Sequence, residues 1–390
     1  MSHPSRSMPY IVLGLFGLYT TEFGVVGILP MIIDRFQVSV SQAGLLLGTF
    51  ALIIAVFGPF LVLISSRYDR KKVLTGALFG FVVCSVLSAY APDFPTLMAL
   101  RIIPALLHPV FFAAAFTTAV SLYPKDRAAH ATSLAVVGTT LGLVLGVPLT
   151  TWVAATVSYE ASFLFCSAMT ALPGLGLLLM LPPQKQVEKL TFGSQLAVLR
   201  RVSLWMNILA TVLVFTAMFS VYSYAAEYLK TETGMDGQTI SMMLVIFGIG
   251  GVSGNLIAGR LLNAHLVKTV ILHPLVLSGA YLVLYAFGSA SIPSMMLISL
   301  LWGAAHTSGL VITQMWLTSV AQEAPAFATS LYVSSANAGV VLGSLIGGIF
   351  IDTVGMRGAI WCGLLFAILS LIIIAAKAIL FGRHAHRPAM

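Results

Sequence analysis

The sequence predicts an all-α membrane protein whose twelve transmembrane helices form two pseudo-symmetric six-helix bundles. Three observations carry that expectation. Charged residues make up 8% of the 390-residue chain and hydrophobic residues 59%, whereas soluble chains have about 25% charged residues. Turn and charge punctuation divides the chain into twelve apolar segments, most of them near the roughly 20 residues that cross a bilayer. The second half also repeats part of the first at a fixed offset. Helices satisfy every backbone group in lipid, so each segment is expected to be α-helical.

Taken in order, span 1 covers 9–33 and contains one charge, Glu22. Span 2, 41–65, is uncharged and ends at the basic cluster Arg67, Arg70, Lys71 and Lys72. Span 3, 73–91, runs from that cluster to Asp93. Span 4, 95–122, holds Arg101 and His108. Span 5, 130–157, is glycine-rich, and span 6, 161–181, follows Glu160. The longest polar connection, 183–203, then divides the chain. Span 7 is 204–228, span 8 is 239–262 and span 9 is 269–288. Span 10, 293–320, carries His306; span 11 is 327–351 and span 12 is 357–381. The expected organisation is a first bundle at 1–182, a cytoplasmic linker at 183–203 and a second bundle at 204–390.

The repeat is visible without any structure. Residues 131–134 and 328–331 both read ATSL, and at this offset of 197 eleven of the 27 positions in 131–157 are identical to their counterparts. The matched elements are spans 5 and 11, which run in the same direction. A parallel repeat of six helices is one of the large transporter architectures, with its site near the midplane between the halves.

Orientation follows from the basic residues. With the N-terminus inside, sixteen of the twenty Lys and Arg lie on the inner side, three (Arg35, Lys230, Arg357) on the outer side, and Arg101 within a span. This asymmetry places both termini in the cytoplasm. It also accounts for the net charge of +8 without a nucleic-acid partner. The chain is expected to work as a monomer in the lipid bilayer. Cys84, Cys166 and Cys362 each stand alone in an apolar run, a pattern that makes neither a disulfide framework nor a metal site. No phosphate-binding loop, zinc-type spacing or nucleophile elbow is present, so an enzyme is not expected. No cofactor is expected either, and an ion gradient should drive any transport.

Glu22 is the first candidate for chemistry, because a carboxylate at membrane depth costs about 2.5–3.5 kcal/mol and is a functional hypothesis by default. Burial disfavours its charged form, so it can take a proton on one side of the membrane and release it on the other. Buried charges need partners. Arg101 is the partner expected for Glu22, and His108 lies two turns further along nearly the same face. His306 in span 10 corresponds to His108 in the other half. Tyr222, Tyr224, Asn207, Gln314, Trp316 and Asn337 are the polar or amphipathic residues of the second-half spans, and an aromatic wall with few polar groups is what a small-molecule site uses. Gly138, Gly142 and Gly146, and in the other half Gly339, Gly343 and Gly347, recur every four residues and should form seams for close helix packing. Pro148 frees a carbonyl and permits a bend.

Four stretches carry a family resemblance. They are TTEFGVVGILP (20–30), SSRYDRKKVL (65–74), LMALRIIPALLHPVFFAA (97–114) and GTTLGLVLGVPL (138–149). Together they resemble the major facilitator superfamily. Within it they are similar to the twelve-helix drug:proton antiporters, in particular the bacterial sugar-, purine- and chloramphenicol-efflux branch. The first resembles that branch's opening-helix signature, the third a fourth-helix motif built around an arginine, and the fourth an exporter motif ending in Gly-x-x-x-Gly-x-Pro. The second departs from the loop pattern of the superfamily. Val62 replaces its first glycine, Ser66 its aspartate and Asp69 its second glycine, while Arg67, Arg70 and Lys71 keep the basic positions.

The resemblance implies a proton-coupled exporter of a sugar, nucleoside or drug in the bacterial inner membrane, working by alternating access. In that scheme Glu22, Arg101 and His108 handle the proton. The residues Arg67, Asp69, Arg70, Lys71, Gly142, Gly146 and Pro148 serve gating and conformational change. Spans and charges alone fit a proton-coupled importer equally well. A non-transporting membrane receptor is the alternative of a different class.

Overall fold

The computed structural model describes residues 6–65, 67–124, 127–183, 195–288, 291–322 and 325–381. Among these residues the regular structure is entirely helical, and eleven helices are long and apolar enough to cross a membrane. Lys185 and Lys189 of the expected linker, together with both chain ends, lie outside the described residues.

Two compact units divide the chain: 1–190 with Ala225–Lys230 and Gly234–Val245, and 191–224 with Thr231–Thr233 and Ile246–Met390. In the first, span 1 is split into α1 (Met8–Gly27) and α2 (Leu29–Phe36) at Ile28. Pro30 explains the break, since it lacks a backbone N–H and its ring crowds the carbonyl one turn back. Gln37, in the left-handed region at φ 51°, ends α2. There follow α3 (Val40–Ser65), α4 (Arg70–Ala89) and α5 (Phe94–Ser121). Span 5 comprises α6 (Ala128–Leu141), a π-helical turn at Gly142–Gly146 and α7 (Val147–Thr156), and span 6 is α8 (Tyr159–Met180). The π turn lies immediately before Pro148, where a helix with one hydrogen bond missing is free to rewind.

The second unit contains α9 (Val202–Tyr222) and part of α10 (Ala225–Thr233). Spans 8 and 9 are two helices that meet at a kink with no loop between them. They run together as α11 (Gly237–Phe287), 51 residues interrupted by non-helical backbone at His265 (φ −149°, ψ 71°). The connecting sequence NAHLVK has neither Gly nor Pro, so little prevents helical hydrogen bonding up to and beyond that kink. The unit is completed by α12 (Ile292–Thr318), α13 (Pro325–Val354) and α14 (Gly358–Phe381).

Packing follows one scheme in both units. In the first, α1 packs against α8 and against α6 with its π turn; in the second, α9 packs against α14 and α13. The glycine seams make this contact. Added to Gly142, a Cβ would lie 2.7 Å from both the Phe16 carbonyl oxygen and Tyr19 Cβ. One added to Gly343 would lie 2.8 Å from the Thr216 carbonyl oxygen. Large apolar side chains such as Phe60, Leu179, Leu256 and Ile379 are exposed, as expected for helices solvated by lipid rather than water.

One feature of the repeat is electrostatic. Arg35 Nη1 on α2 pairs with Glu160 Oε1 on α8 at 2.5 Å, and Arg357 Nε, next to α14, pairs with Glu232 Oε2 on α10 at 2.7 Å. Residues 232 and 357 lie 197 positions after 35 and 160. The two bridges are therefore counterparts with their charges exchanged, each joining the first span of its half to the sixth.

Candidate functional site

The first unit buries a cluster built from α1, α3 and α5. Glu22 and His108 are each about 5% exposed, and Glu22 Oε2 lies 2.9 Å from His108 Nε2. The pair has ion-pair distance, although Nε2 falls short of hydrogen-bond alignment. When the imidazole is protonated the two groups are oppositely charged. When they share one proton fewer, a carboxylate is left in an apolar setting.

Arg101 does not hold that carboxylate. Its guanidinium donates from Nη1 to the Thr21 carbonyl oxygen at 3.2 Å and from Nη2 to the Glu22 carbonyl oxygen at 2.9 Å. The expected Glu22–Arg101 side-chain pair is thus replaced by an arginine that ties α5 to the backbone of α1. The guanidinium also lies over the ring of Phe50, 4.7 Å from its centroid. Around His108 stand Tyr19, Phe50 and Phe112, with ring centroids 5.7, 5.9 and 6.3 Å away.

The second unit has an aromatic counterpart. His306 on α12 is buried among Tyr222, Phe219 and Phe247 at 4.8, 5.4 and 5.4 Å, and Trp302 packs on Phe247 at 4.9 Å. Among the described residues His306 Nδ1 has no hydrogen-bond partner. Neighbouring His273 contacts the Ala305 carbonyl oxygen at 2.9 Å through Nε2.

The other residues expected at the binding site are dispersed. Tyr224 donates its hydroxyl to the Ser344 carbonyl at 2.5 Å, Asn207 Nδ2 donates to the Trp316 carbonyl at 2.5 Å, and Asn337 Nδ2 donates to Val333 one turn back in its own helix. Gln314 is exposed. Trp316 is buried with the Lys377 ammonium 3.4 Å from its ring centroid. In the loop motif Asp69 is the N-cap of α4, accepting from the Lys72 N–H at 3.2 Å. Arg67 is exposed, and Arg70 and Lys71 are partly so in the first turn of α4. The Pro148 carbonyl accepts from Ser241 Oγ at 2.8 Å.

Sequence reasoning did not single out Phe50, Phe247, Phe219 or His273. Phe50 and Phe247 had a signal available, because they too stand 197 residues apart. Glu227 on α10 is also buried. No group of three or more His, Cys, Asp or Glu is placed to hold a metal among the described residues.

Twelve apolar spans in two like-packed units, with buried polar groups inside each unit, define a polytopic membrane carrier. The model of the Major Facilitator Superfamily matches residues 11–230 and again 208–389, and the chain belongs to that superfamily. It is 32% identical over 365 residues to the inner membrane transport protein YdhP of Escherichia coli K12, covering 91% of this chain and 92% of that one. It is 26% identical over 368 residues to a protein of Mannheimia succiniciproducens named "Probable sugar efflux transporter", covering 94% and 92%. The fold matches a bacterial homologue of the human lysosomal transporter Spinster with TM-score 0.82 at 15% identity, over 99% of both chains. The protein is a multi-pass membrane transporter of a small solute, not an enzyme.

Proposed function

We propose that the protein is a proton-coupled antiporter that exports a small organic solute, such as a sugar, nucleoside or drug. The observation that carries this reading is the buried Glu22–His108 pair at 2.9 Å. A carboxylate and an imidazole at this depth form a site whose charge changes by one as a proton enters or leaves. A buried charge that changes partner is costly in one state and not in the other, which gives the proton differential free energy for two conformations. Protonation from the outer side favours solute release and return, and deprotonation inside reopens the site to solute. Export rather than import is supported by the GTTLGLVLGVPL motif and by the sugar-efflux name of the Mannheimia relative. The solute is assigned to the second unit, where His306 and Tyr222 offer a hydrogen-bonding group inside an aromatic wall. The driving force is the proton gradient, and no cofactor takes part.

The test is proton and solute flux in proteoliposomes under an imposed pH gradient, with sugars, nucleosides and antibiotics as the panel. Glu22→Gln keeps the size and much of the hydrogen bonding but removes the titration. It should still bind and exchange solute while failing to concentrate it. Uphill transport at the wild-type rate by this variant would overturn the assignment of Glu22.

A further inference from the structure

Phe50 occupies a position that the transport scheme leaves unexplained. It belongs to α3, which carries no charged residue, and it is 1% exposed. Its ring meets both basic side chains of α5, with the Arg101 guanidinium 4.7 Å over the centroid and the His108 ring 5.9 Å away at an interplanar angle of 83°. Arg101 and His108 are seven residues apart, two turns or about 10 Å along the helix. Both engage one residue, Arg101 through the Glu22 carbonyl and His108 through the Glu22 carboxylate.

Guanidinium is ordinarily the better partner for a carboxylate, because its fork matches two oxygens. Here the fork is occupied by two carbonyls and its flat face lies on an aromatic ring, an arrangement that stabilises the cation where it is. We propose that Phe50 is a positioning residue that holds Arg101 off the Glu22 carboxylate, leaving His108 as its partner. The inference rests on the reading of Glu22 as the proton carrier. The choice of partner matters for proton binding. Arginine stays charged at every working pH, so a Glu–Arg pair would keep the carboxylate ionised until the medium became acidic. A histidine partner, unlike an arginine, can itself gain or lose a proton. The other titratable groups near the pair are Tyr19 on α1 and, beside Arg101, Tyr159 and Cys166 on α8; α3 and α7 contribute none.

The second unit supplies a control. Phe247 also lies beside a histidine, 5.4 Å from His306, but α9 has no carboxylate and α12 no arginine, so there is no partner to select.

The experiment is proton release from the purified full-length protein as a function of pH, followed with an indicator dye. Phe50→Leu should move the release midpoint to lower pH by about one unit or more, the effect of an arginine reaching a carboxylate. Phe50→Tyr keeps the ring face and should retain the wild-type midpoint, and Phe247→Leu should leave it unchanged. If Phe50→Leu fails to fold, Phe50→Met takes its place, since methionine fills irregular space without a ring. A wild-type midpoint in the leucine or methionine variant overturns the proposal. So does an equal shift from Phe247→Leu. Glu22→Gln in the same assay separates the two levels, because a variant that still releases the proton like wild type refutes Glu22 as carrier rather than Phe50 as positioner.

Discussion

At Arg101 a permanently charged side chain, 5% exposed, makes its hydrogen bonds to two main-chain carbonyls and to no carboxylate. Which basic side chain faces the Glu22 carboxylate was not legible in the sequence. Spacing places Arg101 and His108 on one face of a helix, but the choice between them depends on the rotation of α1 and on a phenylalanine from a span with no charged residue to mark it. The geometry makes shape, beyond charge, the requirement at 101. Arg101→Lys keeps the charge but cannot span both carbonyls or stack on Phe50. Losing one charge-assisted bond and the ring contact should cost about 2–4 kcal/mol, read as a lower unfolding temperature in detergent together with weaker transport. A lysine variant as stable and active as wild type would show that position 101 needs only a positive charge.

Among elements, the span-5 and span-11 seams were the most legible, because close helix packing demands small residues at a four-residue period and the sequence shows them in both halves. The structure adds what they meet. Gly142 faces the Phe16 carbonyl and Tyr19 Cβ at the start of the π turn, one turn before Glu22 on α1. Gly142→Ala must push α1 away from backbone it cannot displace, an overpacking of about 1–3 kcal/mol. Gly76 on α4 has nothing within 4 Å of an added Cβ, so Gly76→Ala should be neutral or stabilising within about 1 kcal/mol. Thermal unfolding of the two variants side by side checks the contrast, and equal stability would mean that the seam tolerates a methyl group. Less legible was the junction of spans 8 and 9. Polar residues there looked like a loop, yet without Gly or Pro the two helices run up to each other and meet at a kink at His265.

At the scale of the whole molecule, hydropathy and basic residues predicted the spans because lipid leaves the backbone few alternatives. Side-chain pairing was hidden because it is set by packing. The same charges predict the orientation. A C-terminal reporter active only outside the cytoplasm should stay silent, and a strong signal would reverse the topology. The charge-exchanged bridges belong to this scale as well. Arg35–Glu160 and Glu232–Arg357 are partly exposed, so each contributes only about 0.2–1 kcal/mol to stability. Stacking of Arg35 over Tyr159 at 4.5 Å and of Arg357 over Tyr285 at 5.3 Å adds to the hold. A bridge that ties the first span to the sixth within one half should preserve the shape of that half as it moves. Arg35→Glu places two carboxylates together and should lower both stability and transport rate, and adding Glu160→Arg should restore much of both. Arg357→Glu and its rescue by Glu232→Arg should reproduce the result in the other half, because the pair works in either polarity. If neither double variant recovers what its single variant lost, the bridges are surface contacts without a mechanical role, and the exchange of charge across the repeat has no consequence for transport.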